Sequence, residues 1–165
     1  MAYLGLMLSF PTQTISAGAV QVDGTLDPDD RVWLEGDLRP AQPGVKVTGR
    51  LSEAGPGRFY FSGAMTGSLG QECGRCLADV TTVVTTETHV LFSDGEHGDD
   101  DDPDVFPLTK GRSGAEIDLR PVARQEWLLE VPAFAVCRPE CKGLCLTCGA
   151  NLNQGPCTCA RKSDE

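Results

Sequence analysis

Six of the eight cysteines lie in the 23 residues from Cys137 to Cys159, which read C-R-P-E-C-K-G-L-C-L-T-C-G-A-N-L-N-Q-G-P-C-T-C. The other two form Cys73-Gly-Arg-Cys76. No other feature constrains the fold as strongly, because eight thiols must be bridged, bound to metal or left free. A chain of 165 residues can bury a core of its own and does not need the disulfide framework of a small secreted domain. The first 72 residues hold no cysteine, and the apolar start, Met1 to Phe10, lacks the basic n-region of a signal peptide. Metal is therefore favoured over disulfides, with thioredoxin-like redox chemistry at Cys73 and Cys76 as a further reading.

The spacing supports metal directly. Cys73-x2-Cys76 and Cys145-x2-Cys148-Gly149 place two thiolates across a tight turn, where both can face one ion. Gly149, and similarly Gly74 and Gly143, suit the backbone geometry that turns amides toward sulfur. Zinc bound by thiolates takes four ligands, so eight cysteines allow two closed sites or one site with leftovers. The most local set is Cys145, Cys148, Cys157 and Cys159, forming a zinc-ribbon-like module. A second set joins Cys73 and Cys76 to Cys137 and Cys141. Other partitions of Cys137, Cys141, Cys148 and Cys157 remain open, because Cys157-Thr-Cys159 is a less common ligand spacing. An all-thiolate site is normally closed and structural. Both histidines, His89 and His97, fall outside the clusters. No phosphate-binding glycine loop, GxSxG or HExxH motif is present, so no catalytic residue is assigned and no small-molecule substrate is evident.

The formal net charge of −10 is unevenly spread. Residues 93–104 carry seven acidic and no basic side chains, a composition suited to a solvated loop rather than a core. No basic arm or stripe advertises generic binding to a phosphate backbone. No apolar run approaches the roughly 18–20 residues of a membrane helix.

The rest of the chain reads as α+β, mainly β. Strand-like runs are Val20–Leu26, Val32–Leu38, Val45–Leu51, Arg58–Leu69 and Val80–Phe92, with a tight hairpin over Glu53–Gly57 and a bulge or bend at Gly63 or Gly67. Together they predict an antiparallel meander, either a curved sheet or a small, partly open barrel. Met1–Phe10 reads as an N-terminal strand, Pro11–Gly18 as loop and Ile117–Leu119 as a short strand. One main helix is expected over Val122–Glu130, capped by Asp118, with Leu119, Val122, Ala123, Glu126 and Leu129 on one face and Trp127 at its edge. The expected organisation is a β-rich domain over residues 1–134, with an acidic disordered loop at 93–112, followed by a cysteine-rich zinc-binding tail at 135–160. Phe59, Tyr60, Phe61 and Trp33 are expected mainly in the core, with stacking on RNA as the alternative.

Four motifs occur in order: Cys73-Gly-Arg-Cys76-Leu77, Arg124-Gln-Glu126-Trp-Leu-Leu-Glu-Val-Pro132, Cys141-Lys-Gly-Leu-Cys145-x2-Cys148-Gly-Ala-Asn-Leu-Asn153 and Cys157-Thr-Cys159. In these motifs the chain resembles the bacterial YceD family, the large ribosomal RNA subunit accumulation proteins, over about residues 15–159. The resemblance implies a cytoplasmic, non-secreted protein that promotes synthesis, processing or accumulation of large-subunit ribosomal RNA. It also implies that Cys73 and Cys76 belong to a shared core to which the cysteine-rich tail is added. The expected protein is then a non-enzymatic ribosome-biogenesis factor with one or two structural Zn2+ ions. Its expected partner is a ribosomal protein or a large-subunit ribosomal RNA precursor, met in part through Arg75 and Glu126. The alternatives are a zinc-ribbon transcription accessory or a CxxC redox protein.

Overall fold

The computed structural model describes residues 8–96 and 102–159. They fall into two compact units, one of residues 8–68, 83–96 and 102–131 and the other of residues 69–82 and 132–159.

The first unit is organised by long antiparallel strands. Strand β1 (Ser9–Pro11) leads into a short helix α1 (Thr12–Ala17), then β2 (Val20–Leu26), β3 (Val45–Glu53), β4 (Arg58–Glu72) and β5 (Asp79–Ser93). Three short strands follow: β6 (Val105–Pro107), β7 (Thr109–Gly111) and β8 (Gly114–Asp118). Helix α2 spans Arg120–Glu130. The main sheet has the order β2-β3-β4-β5-β6 and a second sheet the order β1-β8-β7. Neither is a closed barrel, and β6 joins β5 in parallel, whereas the sequence predicts one wholly antiparallel sheet. Residues 105–107 and 109–111, placed by the sequence in the acidic loop, are strands.

Period-two alternation makes the core. In β3, Val45, Val47 and Leu51 are buried while Lys46, Thr48 and Arg50 face outward. At the centre, Gly49 pairs with Gly63. The ring of Phe61 fills the space their side chains would need: a Cβ on Gly63 would lie 2.6 Å from it. The β3–β4 register runs unbroken through Gly63, so no bulge interrupts that pairing there. The hairpin at Glu53–Gly57 is closed by Ala54 N–H to the Arg58 carbonyl and Arg58 N–H to the Gly55 carbonyl.

Four local expectations are corrected. Val32–Leu38 is a series of turns rather than a strand. Asp30 accepts from Val32 N–H at 2.9 Å and Asp37 from Leu34 N–H at 2.7 Å, giving the backbone a local alternative to a ladder. Pro11–Gly18 contains helix α1 rather than loop alone. In α2 the buried side is Val122, Ala123 and Trp127, following buried Leu119, while Leu129 is 72% exposed. Trp127 is thus the centre of the face, set edge-to-face against Trp33 at 5.9 Å. The N-cap position of α2 is Leu119, with no side-chain cap, so the capping role expected of Asp118 is not taken; Asp118 instead accepts from Arg120 N–H at 3.0 Å and binds the Arg120 side chain. Arg124 reaches Asp37 through Nε at 2.6 Å and Nη2 at 2.8 Å, which holds the 32–38 segment to α2. The Arg124 hydrogen bond lowers the Asp37 carboxyl below the usual aspartate range.

Candidate metal centres

The second unit is short of apolar core. Its buried residues include Leu69, Ala135, Cys73, Cys76 and Cys141, with Val80, Val136 and Leu144 packed around the three cysteines. The thiols occupy the place that aliphatic side chains fill elsewhere.

Between β4 and β5 the chain reverses through Cys73–Cys76. Leu77 N–H donates to the Cys73 carbonyl at 2.9 Å and Cys73 N–H to the Ala78 carbonyl at 2.8 Å. Leu77 takes φ +62°, which completes the reversal. Strand therefore lies on both sides of this CxxC, and the helix N-terminus that activates redox dithiols is absent. The turn brings Cys73 and Cys76 to Cys137 and Cys141. A second group gathers Cys145, Cys148, Cys157 and Cys159. In each group the sulfurs lie within 4.8 Å of one another. This is the most local partition of the eight and its complement.

The distances separate the chemical readings. Cys73 Sγ lies 3.9 Å from Cys141 Sγ, and Cys76 Sγ lies 3.7 Å from Cys137 Sγ. A disulfide requires about 2.05 Å. Four sulfurs about 2.3 Å from one tetrahedral ion are separated by about 3.8 Å. Backbone amides complete the fit. The Cys73 thiol faces the amides of Cys76, Cys137 and Arg75, and the Cys145 thiol faces those of Cys148 and Thr147. The two CxxC turns thus repeat one arrangement, in which the first sulfur accepts from amides two and three residues on. Those amides bring both thiols down to about 6. Local desolvation of its sulfur against the Cys141, Cys76 and Cys73 thiols, in a residue otherwise exposed, pushes Cys137 up to about 12, and Cys148 beside Cys159 pushes Cys159 to about 12. Four thiolates at this spacing cannot all ionise unaided, and a divalent cation would supply the missing compensation.

The groups differ in exposure. Cys73, Cys76 and Cys141 are buried and Cys137 is exposed, whereas Cys148 is exposed and Cys145, Cys157 and Cys159 are half-buried. The Arg75 side chain is turned to local structure: Nη1 donates to the carbonyls of Pro139 at 3.2 Å and Cys141 at 3.1 Å. Glu126 lies in the first unit, half-buried on α2, beside a recess of about 320 Å³ lined by His89, Val90, Pro103, Asp104, Phe106 and Gln125. Of the four aromatics, Trp33, Phe59 and Phe61 are buried, and Tyr60 is exposed and stacked on His89. Two residues escaped the sequence reading. Phe134 covers Gly74, whose absent side chain makes room for the ring. Asn153 donates through Nδ2 to Cys141 Sγ at 3.3 Å. Only the repeated asparagines of Asn151-Leu-Asn153 hint at this from sequence.

Fold and site together define a mainly β protein with two sheets, one main helix and two four-cysteine groups that can each hold a metal ion. The chain belongs to the family described as "Large ribosomal RNA subunit accumulation protein YceD", whose model matches residues 61–165 and so takes in all eight cysteines. Over 45 residues it is 58% identical to the maize "Large ribosomal RNA subunit accumulation protein YCED homolog 1, chloroplastic", covering 27% of this chain and 15% of that protein. The Arabidopsis thaliana protein of the same name is 44% identical over 50 residues, 30% of this chain and 16% of that protein. "Uncharacterized protein YlbN" of Bacillus subtilis is 28% identical over 120 residues, 73% of this chain and 66% of that protein. The matched stretches are thus a small part of the plant relatives and just under two thirds of the bacillar one. No solved structure matches the chain. Among the described residues no helix is long and apolar enough to cross a membrane.

Proposed function

We propose that the chain is a non-enzymatic ribosome-biogenesis factor that promotes synthesis, processing or accumulation of large-subunit ribosomal RNA, with two structural zinc ions. The observation that carries the proposal is the family match, which runs through both four-cysteine groups. Zinc is the metal because four thiolates in a closed tetrahedral set suit it and leave no open position for substrate. Cys73, Cys76, Cys137 and Cys141 hold one ion, and Cys145, Cys148, Cys157 and Cys159 hold the other in a zinc-ribbon-like module. The β-rich part and this cysteine-rich tail act as a binding scaffold. Such a protein works where ribosomal RNA is made, which for a bacterial member of the family is the cytoplasm.

Electrostatics favour a basic protein partner over naked RNA. The chain has a formal net charge of −10, and two zinc ions against eight thiolates add a further charge of about −4. A ribosomal protein bound within a large-subunit precursor meets this requirement. Glu126 beside its recess and the exposed knuckle around Arg75 are the proposed contacts.

The test is a tagged pull-down at stated salt with proteomics and RNA sequencing. Enrichment of large-subunit precursor RNA or its proteins supports the proposal. Capture of RNA polymerase in their place would replace it with the transcription-accessory reading.

A further inference from the structure

We propose that the two four-cysteine centres bind metal as a coupled pair, with Asn153 transmitting occupancy of the exposed centre to the buried one. The inference rests on the zinc reading above. Asn153 belongs to the 3-10 turn Leu152–Gln154, inside the loop that Cys148 and Cys157 close. Its side chain serves the other centre. Lys142 N–H donates to Asn153 Oδ1 at 2.9 Å, and Asn153 Nδ2 donates to Cys141 Sγ at 3.3 Å. The amide can point only one way, because the Lys142 N–H needs an acceptor and the sulfur of a thiolate needs a donor.

The rest of the loop is fastened to the same short link. Cys141 and Cys145, one ligand from each centre, are joined only by Lys142, Gly143 and Leu144. Leu152 N–H donates to the Gly143 carbonyl at 2.9 Å, and Leu144 bridges Asn151. Asn151 Oδ1 in turn accepts from Asn153 N–H at 2.9 Å. On the other side Leu144 N–H donates to the Arg75 carbonyl at 3.0 Å, while the Arg75 side chain binds the Cys141 carbonyl. Metal at Cys145, Cys148, Cys157 and Cys159 closes the loop and fixes Asn153. The ordered amide then donates to the Cys141 thiolate and stabilises the ligand it touches. Without that metal, the entropy of ordering Asn153 falls on the buried centre. By linkage, metal at the buried centre favours the exposed one by the same factor. Because its thiols are the more exposed, the second centre loses metal first, and its loss loosens the first.

Partners of this kind, which orient a metal ligand, typically contribute about 10–100-fold to metal affinity. The experiment titrates full-length zinc-loaded protein with a chelator and maps thiol alkylation by mass spectrometry. Cys73 and Cys141 report the buried centre, and Cys157 and Cys159 the exposed one. Asn153→Ala is expected to weaken zinc at the buried centre by about 10–100-fold. Cys157→Ser/Cys159→Ser, which leaves Asn153 in place, is expected to weaken it by a similar factor, and the combined variant no further. Asn153→Asp keeps the acceptor for Lys142 but sets a carboxylate oxygen against the sulfur, so it should lose at least as much as Asn153→Ala. The fluorescence of Trp33 and Trp127 checks the first unit, and hydrogen-exchange protection of the Cys73 and Gly74 amides in the zinc-loaded variants checks the second. Unchanged affinity at the buried centre in Asn153→Ala, or losses that multiply in the combined variant, would overturn the coupling. Two zinc ions per wild-type chain alongside either result would leave the zinc reading standing, and no zinc at all would remove that reading itself.

Discussion

Removing the metal should dissolve the second unit and leave the first folded. Among the described residues of the second unit the fully buried aliphatic side chain is Leu69, at 1% exposure, and Ala135 adds a small one. The other buried apolar groups there are Cys73, Cys76 and Cys141, with partly buried Val80, Val136 and Leu144 around them. Burying one leucine is worth about 1.5–3 kcal/mol, whereas a structural zinc ion contributes about 10–16 kcal/mol at neutral pH. The metal term is therefore several times any single apolar term in this unit, and segments this small usually depend on such a staple. The first unit has its own core in Trp33, Val45, Val47, Leu51, Phe61, Met65, Phe92 and Trp127. Hydrogen exchange with mass spectrometry, with and without a strong zinc chelator, reads the two units separately. The amides of Cys73, Gly74, Leu144, Cys145 and Leu152, all hydrogen-bonded within the second unit, should lose protection by about 100-fold or more, since opening the unit then costs little free energy. Peptides from β3 should keep theirs. Equal protection of the segments around 73–78 and 141–152 in verified metal-free protein would refute the reasoning.

Two further outcomes test the first unit. Gly63→Ala should destabilise by about 1–3 kcal/mol in urea unfolding, because a Cβ there overlaps the Thr48 carbonyl oxygen and the Phe61 ring. An unchanged midpoint would mean that the sheet yields more readily than its register suggests. Arg124→Ala should cost about 1.5–3 kcal/mol at neutral pH through loss of two charge-assisted hydrogen bonds to Asp37. The folded-state pKa of Asp37 is depressed, so the pair stabilises above the ordinary aspartate range and is lost as pH falls through the folded value. The gap between wild type and Arg124→Ala should therefore close in acid, and a gap independent of pH would contradict the ion pair.

The parts legible in sequence were those whose signal is local. The Val/Thr run of β5, the hairpin at Glu53–Gly57 and helix α2 each rest on periodicity or turn chemistry within a dozen residues. The spacing of the eight cysteines offered these two groups among other partitions, and the fold brings together this one. What escaped depends on partners far along the chain. Val32–Leu38 alternates like a strand, yet Trp33 is drawn against Trp127 and Asp37 against Arg124, 87 positions away. Trp127 reads as an edge residue on a helical wheel and becomes the centre of the buried face because its ring meets Trp33. The parallel pairing of β6 with β5 has no local signature. The hydrogen bonds from Arg75 Nη1 to the carbonyls of Pro139 and Cys141, more than 60 positions away, likewise have no local signature. Asn153 is invisible as a support for Cys141 until the turn that carries it is built.

The central claim is that eight cysteines form two closed four-thiolate zinc centres. Native mass spectrometry of the intact chain, purified without added chelator and then treated with one, tests it most directly. The account predicts two zinc ions per chain, both lost on chelation, with all eight thiols alkylated only afterwards. A chain that carries no metal, or whose cysteines are joined in disulfides, would contradict it.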